Sequence, residues 1–231
     1  MDTATLACST ALLQDECLLA EFTLNIRKTH SERLMPLVDA MLAEAGLERE
    51  QLNAVAVAAG PGSFTGIRIG VATARALAQG LAIPAVGVST LEALAEGIAA
   101  PGVLICPLLD ARRNQVYTAL YRREPSPGRD LEILIPPCAA DLASFIERLQ
   151  KFSEPVVFTG EGVDSFTDYL SGALGEMASL PAGPLRLCRA GLVALCGRRL
   201  LEKQPHPSYR ELLPMYCRLP EAERLLTTRK E

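Results

Sequence analysis

Apolar positions along the chain come in short blocks cut by glycine and proline, and their period switches repeatedly between two and about 3.6 residues. Residues 2–13 read as a tight turn after an aspartate, followed by a strand. Residues 16–25, with Leu18, Ala20, Phe22 and Leu24 alternating, read as a second strand in a meander. Thr29-His-Ser-Glu32 fits a capping box, and Leu34, Leu37, Val38, Met41, Leu42 and Ala45 follow at helical spacing as far as Gly46. Pro36 blurs where that helix starts. Val55 and Val57, with alanines between them, predict a strand covered on both faces, ended by Gly60-Pro61-Gly62-Ser63. A long helix comes next, over 66–79. Beyond it the pattern predicts strands over 83–90, 103–110, 116–121, 131–136 and 156–162. Helices are expected over 91–99, 139–151, 163–174 and 184–202, with polar loops at 111–115 and 124–130. A proline-punctuated tail after residue 206 has to return and pack on the body.

The glycine loop between strand and helix has two readings. A helix N-terminus offers free N–H groups and the positive end of a dipole, so Gly60, Gly62, Ser63 and Thr65 are candidate phosphate-binding positions. The spacing departs from both familiar anion loops. Gly66 is followed by Ile67 where a P-loop needs lysine, and Thr65 stands where a dinucleotide fingerprint needs its third glycine. The other reading is a purely structural tight turn, with Ser63 or Thr65 as helix cap.

Gly66, Gly70 and Ala74 lie four residues apart and form one nearly bare stripe on the next helix. Ile67, Val71, Ala72, Ala76 and Leu77 make most of its remaining surface apolar. Such a helix is covered almost all round, and the bare stripe admits another backbone closely. It is either a central core helix or a helix with one face on the sheet and the other on a partner protein.

Composition narrows the choices. A chain of 231 residues with 49% hydrophobic and 22% charged residues makes one large domain or two small ones. A net charge of −4, with arginines scattered in short pairs, gives no electrostatic basis for strong direct nucleic-acid binding. The seven cysteines form no CxxC pair, and there is neither a signal peptide nor an uninterrupted apolar span, so a reduced, cytoplasmic setting is expected. His30 has Leu34, not a second histidine, four residues on, so no helical metal pair forms. His206 lies between two prolines, and no GxSxG elbow is present. Asp2 and Asp110 either coordinate Mg²⁺ beside phosphates or make Asx turns, the turn being the favoured reading.

Two echoes link the halves. Asp2 and Asp110 are each followed eight positions later by Thr-Ala-Leu, and Gly60-x-Gly62-Ser63-Phe64 has a looser partner in Gly160-x-Gly162 with Ser165-Phe166. Each half reads as aspartate, hairpin, strand, GxG, helix. Together they suggest a duplication on the plan of the actin-like ATPase fold, with Pro101-Gly102 as the clearest break between 1–101 and 102–231.

The segment AVAAGPGSFTGIRIGVATARALAQG resembles the TsaB (YeaZ) family. The likeness extends to DTAT (2–5), HSERLMPLVDAML (30–42), DARRNQVYTALY (110–121) and LLPMYCRLPEAER (212–224), so it runs through the whole chain. The resemblance implies an α/β actin-like fold (ASKHA, ribonuclease H-like) in two duplicated subdomains, and an inactive relative of the catalytic subunit TsaD. In TsaD, histidines spaced four apart bind a metal. The resemblance further implies a non-catalytic subunit that binds TsaD, and TsaE with ATP, during threonylcarbamoyl transfer to the tRNA adenosine beside the anticodon. No cofactor is expected to stay on this chain, ATP and Mg²⁺ belonging to the complex, and the chain is expected to form a homodimer when alone. The family's partner surface comes from its first two helices, here 31–45 and 66–79, which marks Leu34, Leu37, Val38, Met41, Gly66, Gly70, Thr73 and Ala74 as interface candidates. The family also has a strand leading into the DT motif, whereas only Met1 precedes Asp2, so the reading frame is expected to extend upstream. A stand-alone ATP-dependent kinase or hydrolase using the Gly60–Gly66 loop is the rival reading. A glycoprotein peptidase is a third, weakened by the absent metal pair.

Overall fold

A computed structural model of the chain describes residues 1–26, 29–124, 131–204 and 206–217. Among these, a hairpin of β1 (Cys8–Gln14) and β2 (Cys17–Leu24) leads to α1 (His30–Ala45). The parallel pair β3 (Val55–Gly60) and β4 (Ala85–Ser89) flanks α2 (Phe64–Leu81), and α3 (Thr90–Glu96) comes after it. The second half holds β5 (Leu104–Asp110), β6 (Gln115–Arg123), β7 (Leu131–Asp141), α4 (Leu142–Gln150), β8 (Val156–Thr159), α5 (Gly162–Leu174), β9 (Ala178–Ser179) and α6 (Ala190–Lys203).

The second-half sheet has the order β7-β6-β5-β8-β9, with β5 antiparallel to β6 and parallel to β8. The first half repeats this plan around a much shorter centre. Met1 donates to the Ala56 carbonyl at 2.8 Å and accepts from the Ala58 N–H at 2.9 Å, which is parallel pairing opposite Val57. Asp2 exchanges both backbone bonds with Ser9, which is antiparallel pairing with the strand that becomes β1. Met1 and Asp2 thus hold the position in the first half that the end of β5 holds in the second.

Several boundaries depart from the sequence expectation. Thr29 precedes α1 without a side-chain cap bond, so the capping box does not form. Ser63, not Thr65, caps α2 by accepting from the Gly66 N–H at 3.3 Å. β7 runs on through Pro136-Pro137 to Asp141, whose carboxylate caps α4 at the Ser144 N–H. Its strand therefore displaces the first turn of the helix expected over 139–151. The last long helix begins at Ala190, after a short 3₁₀ turn at Gly183–Arg186. Residues 125–130 of the expected loop, and residues 218–224 of the tail, lie outside the described residues.

One apolar cluster spans both halves and a second is confined to the latter. The first joins Leu34, Val57, Ile67, Leu94, Ile105, Tyr121 and Val193, whereas the second packs Phe145, Phe158 and Leu170 between α4, α5 and the five-stranded sheet. Helix α6 packs on β1, β3 and β4, so in space it covers the first half although it comes after the second in sequence. Gly197 makes this possible, because a Cβ there would meet the Ala56 methyl. Asp2 and Asp110 both make Asx turns, accepting from Ala4 N–H at 2.8 Å and Arg112 N–H at 2.6 Å. Among the described residues no helix is long and apolar enough to cross a membrane.

Candidate interaction surface and glycine loop

The glycine loop is clamped by both ends of the chain. Ser63 N–H donates to the Ala4 carbonyl at 2.7 Å, and Met215 N–H donates to the Ala59 carbonyl at 2.7 Å. Gly60 (φ +126°) and Gly62 (φ +157°) sit in backbone regions that favour glycine, and a Cβ on either would overlap a backbone oxygen, that of Met215 or Ala4. The Ser63 and Gly66 N–H groups that an anion would need are therefore engaged, the second by the Ser63 hydroxyl. Thr65 is exposed at the first turn. The geometry is that of a close-packed turn. The second half repeats it in outline, with Gly160 (φ +93°) and Gly162 against the Leu108 carbonyl.

The bare stripe of α2 faces inward. A Cβ on Gly66 would overlap the Thr3 carbonyl oxygen, and one on Gly70 would lie 2.5 Å from the Thr3 hydroxyl and 3.1 Å from Val57. Ala74 is fully buried. The expectation that Gly66, Gly70 and Ala74 offer a close-approach edge to a partner is therefore corrected: the turn at 2–4 and β3 already occupy that edge. Leu34, Val38 and Met41 are also buried, because α1 turns them onto β1 and the core, so they too are removed from the exposed candidates. Of the eight interface candidates, Leu37 and Thr73 remain half-exposed.

The outer face of the two helices is different. A groove of about 480 Å³ runs between α1 and α2, lined by Met35, Thr73, Ala76, Leu77, Gly80 and Leu81 together with Arg49 and Glu50. Helical periodicity explains the split, since positions three and four apart share a face, and Thr73, Ala76, Leu77 and Gly80 form one such set. The set flanks the glycine stripe rather than opposing it, Thr73 standing three residues after Gly70 and Leu77 three after Ala74.

A second exposed cluster sits at the start of α2. The Arg68 guanidinium lies 3.8 Å over the Phe64 ring and donates to the Tyr216 hydroxyl at 2.9 Å, and the two rings stack at 5.5 Å. This ties the tail to α2, which the sequence alone did not indicate.

Titratable chemistry is sparse. Burial pushes the thiols of Cys106 and Cys196 up to about 12 and that of Cys8 to about 11, the direction that makes a cysteine inert. Burial also raises the Asp2 carboxyl, against the opposing pull of its bonds from Thr5 and Ala4, and raises that of Glu161. His30 contacts the Thr5 carbonyl at 3.1 Å, and Leu34 beside it is core. No group of three His, Cys, Asp or Glu side chains suited to a metal occurs among the described residues.

The family model described as TsaD, tRNA N6-adenosine threonylcarbamoyltransferase, matches residues 17–225. The tRNA threonylcarbamoyladenosine biosynthesis protein TsaB of Bacillus subtilis is 35% identical over 223 residues, covering 96% of this chain and 94% of that protein. The protein of the same name from Escherichia coli is 35% identical over 224 residues, covering 95% and 85%. Among solved structures, YeaZ from Pseudomonas aeruginosa superposes with a TM-score of 0.76 at 25% identity, covering 93% of this chain and 96% of that one. Sequence and fold agree: the chain has the α/β actin-like fold and belongs to the TsaB (YeaZ) family.

Proposed function

We propose that this chain serves tRNA threonylcarbamoyladenosine biosynthesis as a non-catalytic subunit. It binds and activates a TsaD-like enzyme that forms the threonylcarbamoyl group on the adenosine next to the anticodon. The relatives' names support the pathway. The observation that carries the subunit role is the groove between α1 and α2, whose lining combines apolar Met35, Ala76, Leu77 and Leu81 with charged Arg49 and Glu50. A TsaE-like ATPase joins the assembly, and ATP and Mg²⁺ act there. In the isolated chain the same groove mediates a homodimer. Residues Met35, Leu37, Thr73, Ala76 and Leu77 take the contact role that the glycine stripe, packed inside the molecule, does not offer.

The kinase or hydrolase reading draws no support from the glycine loop, whose Ser63 and Gly66 N–H groups bond within the chain. Co-purification with the TsaD-like protein of the same organism tests the proposal. Ala76→Arg places a long charged chain in the groove at an exposed site and should weaken the complex at least tenfold while leaving the melting temperature unchanged. Full binding by Ala76→Arg, or ATP turnover by the isolated protein, would overturn it.

A further inference from the structure

Four consecutive residues of the turn after Asp2 are each fastened to a different element. The Thr3 hydroxyl bonds the Gly66 carbonyl of α2, and the Ala4 carbonyl accepts from the Ser63 N–H of the glycine loop. The Thr5 carbonyl lies 3.1 Å from His30 Nε2 at the start of α1. The Leu6 N–H donates to the carboxylate of Glu161, just ahead of α5, at 2.6 Å. Thr3, Ala4 and Thr5 are buried, and the Asp2 carboxylate braces them through the Ala4 N–H and the Thr5 hydroxyl.

The last two ties share one peptide group. The Thr5 carbonyl and the Leu6 N–H belong to the same planar trans unit, in which they point in opposite directions. His30 holds one side of this unit and Glu161 the other. Helix α1 of the first half and the start of α5 in the second are thus joined through a single rigid group. Bonds on opposite sides of one peptide also polarise each other.

Each end is committed to this contact. A carbonyl only accepts, so Nε2 is the donor, and His30 Nδ1 is buried with no partner among the described residues. Glu161 makes no bond to the N–H groups of its own helix. Gly160 and Gly162 on either side of it press on the Leu108 carbonyl, where a Cβ on either would meet the oxygen, and this fixes Glu161 against β5. Burial raises the Glu161 carboxyl, as do the Asp2, Asp110 and Asp164 carboxylates, and the Leu6 N–H opposes them.

We infer that Glu161 is a positioning residue: through the Thr5–Leu6 peptide it sets the His30 ring and the first turn of α1. It thereby couples the second half of the molecule to the helix pair that carries the outer groove. The effect on docking rests on the partner role proposed above, whereas the coupling is a property of the isolated chain. The carboxylate makes the bond to Leu6 charge-assisted, about twice as strong as a neutral one. An aspartate, one methylene shorter, does not reach it.

The chain has only two histidines, so the His30 ring resonances can be followed with those of His206 as internal reference. In the full chain, Glu161→Ala and Glu161→Asp should each speed amide exchange at Leu6 by at least about tenfold. Both should move the His30 signals and leave those of His206 in place. Glu161→Gln keeps an acceptor oxygen at the same reach and should restore the His30 signals and slow exchange at Leu6. Both shortened variants should bind the TsaD-like partner about fivefold more weakly, with Glu161→Gln close to the unaltered chain. Glu161→Asp, which keeps the charge, decides the matter should Glu161→Ala fold poorly. Unchanged His30 signals and Leu6 exchange in the shortened variants overturn the inference, whatever the partner does. So does full affinity of those variants for a partner that binds the unaltered chain. A partner that fails to bind even the unaltered chain overturns the proposed function instead, and the exchange and His30 readings then decide the coupling by themselves.

Discussion

The Thr3 hydroxyl donates to the Gly66 carbonyl at 2.8 Å, across the same contact in which the Thr3 carbonyl lies where a Gly66 side chain would be. This relationship fixes the N-terminal turn on α2, and through Ala4 it also holds the glycine loop.

Gly66→Ala should therefore cost about 3 kcal/mol in urea unfolding, because its methyl meets backbone that has no room to yield. Gly172→Ala is the contrast. Nothing lies within 4 Å of a Cβ there, so the substitution should stabilise α5 by about 0.5–1 kcal/mol. Equal effects at the two sites would contradict the inward placing of the stripe.

Glu96 links three elements. Its carboxylate takes both Arg199 nitrogens at 3.0 Å and lies 3.5 Å from Arg123, which also donates to the carbonyls of Ile98, Ala95 and Glu96. Glu96→Ala leaves the buried Arg123 without its carboxylate and should cost about 3–5 kcal/mol. Arg49→Ala, which breaks an exposed pair with Asp39, should change stability by less than about 1 kcal/mol. Chemical denaturation of the two variants separates the cases.

Burial lowers the Met1 amine from 8.0 to about 6. The unfolded chain then binds more protons between these values, so stability should rise with pH from about 6 to 8, by roughly 2–3 kcal/mol in total. The buried Asp2 carboxyl acts in the opposite sense at pH above 3.8, its raised value favouring the native state at low pH. Nα-acetylation should abolish the rise between 6 and 8, and the difference between acetylated and free protein isolates it. Identical pH profiles would show the amine to be solvated.

Thiol titration at pH 8 should find Cys17 reacting first. It is exposed, whereas Cys8, Cys106, Cys188 and Cys196 are buried with their thiols pushed up. All seven free thiols should react once the protein is denatured. Rapid labelling of Cys188 in the native protein would contradict its packing beside Asp2.

The strand character of β1, the alternating residues of β2, the doubly buried run of β3 and the apolar face of α1 were legible from residue order alone, because each is set by local period and side-chain size. So were the duplicated Asx turns, whereas α2 is covered on its inner side only, Ala72 and Ala76 being exposed. The tail's return could also be read, and as far as residue 217 it is made by Leu212 in the core and the Met215 N–H bond to the Ala59 carbonyl.

What covers each face was decided by contacts between distant residues. A bare helical stripe admits any close-packed backbone, and the pattern does not distinguish Thr3 of the same chain from a foreign protein. Only the folded chain brought residues 2–4 onto Gly66 and Gly70, turned Leu34 and Met41 inward, and left Thr73 and Ala76 on the outer groove. The crossing of α6 onto the first half was likewise tertiary, because helical period specifies that a face is buried but not which sheet it meets.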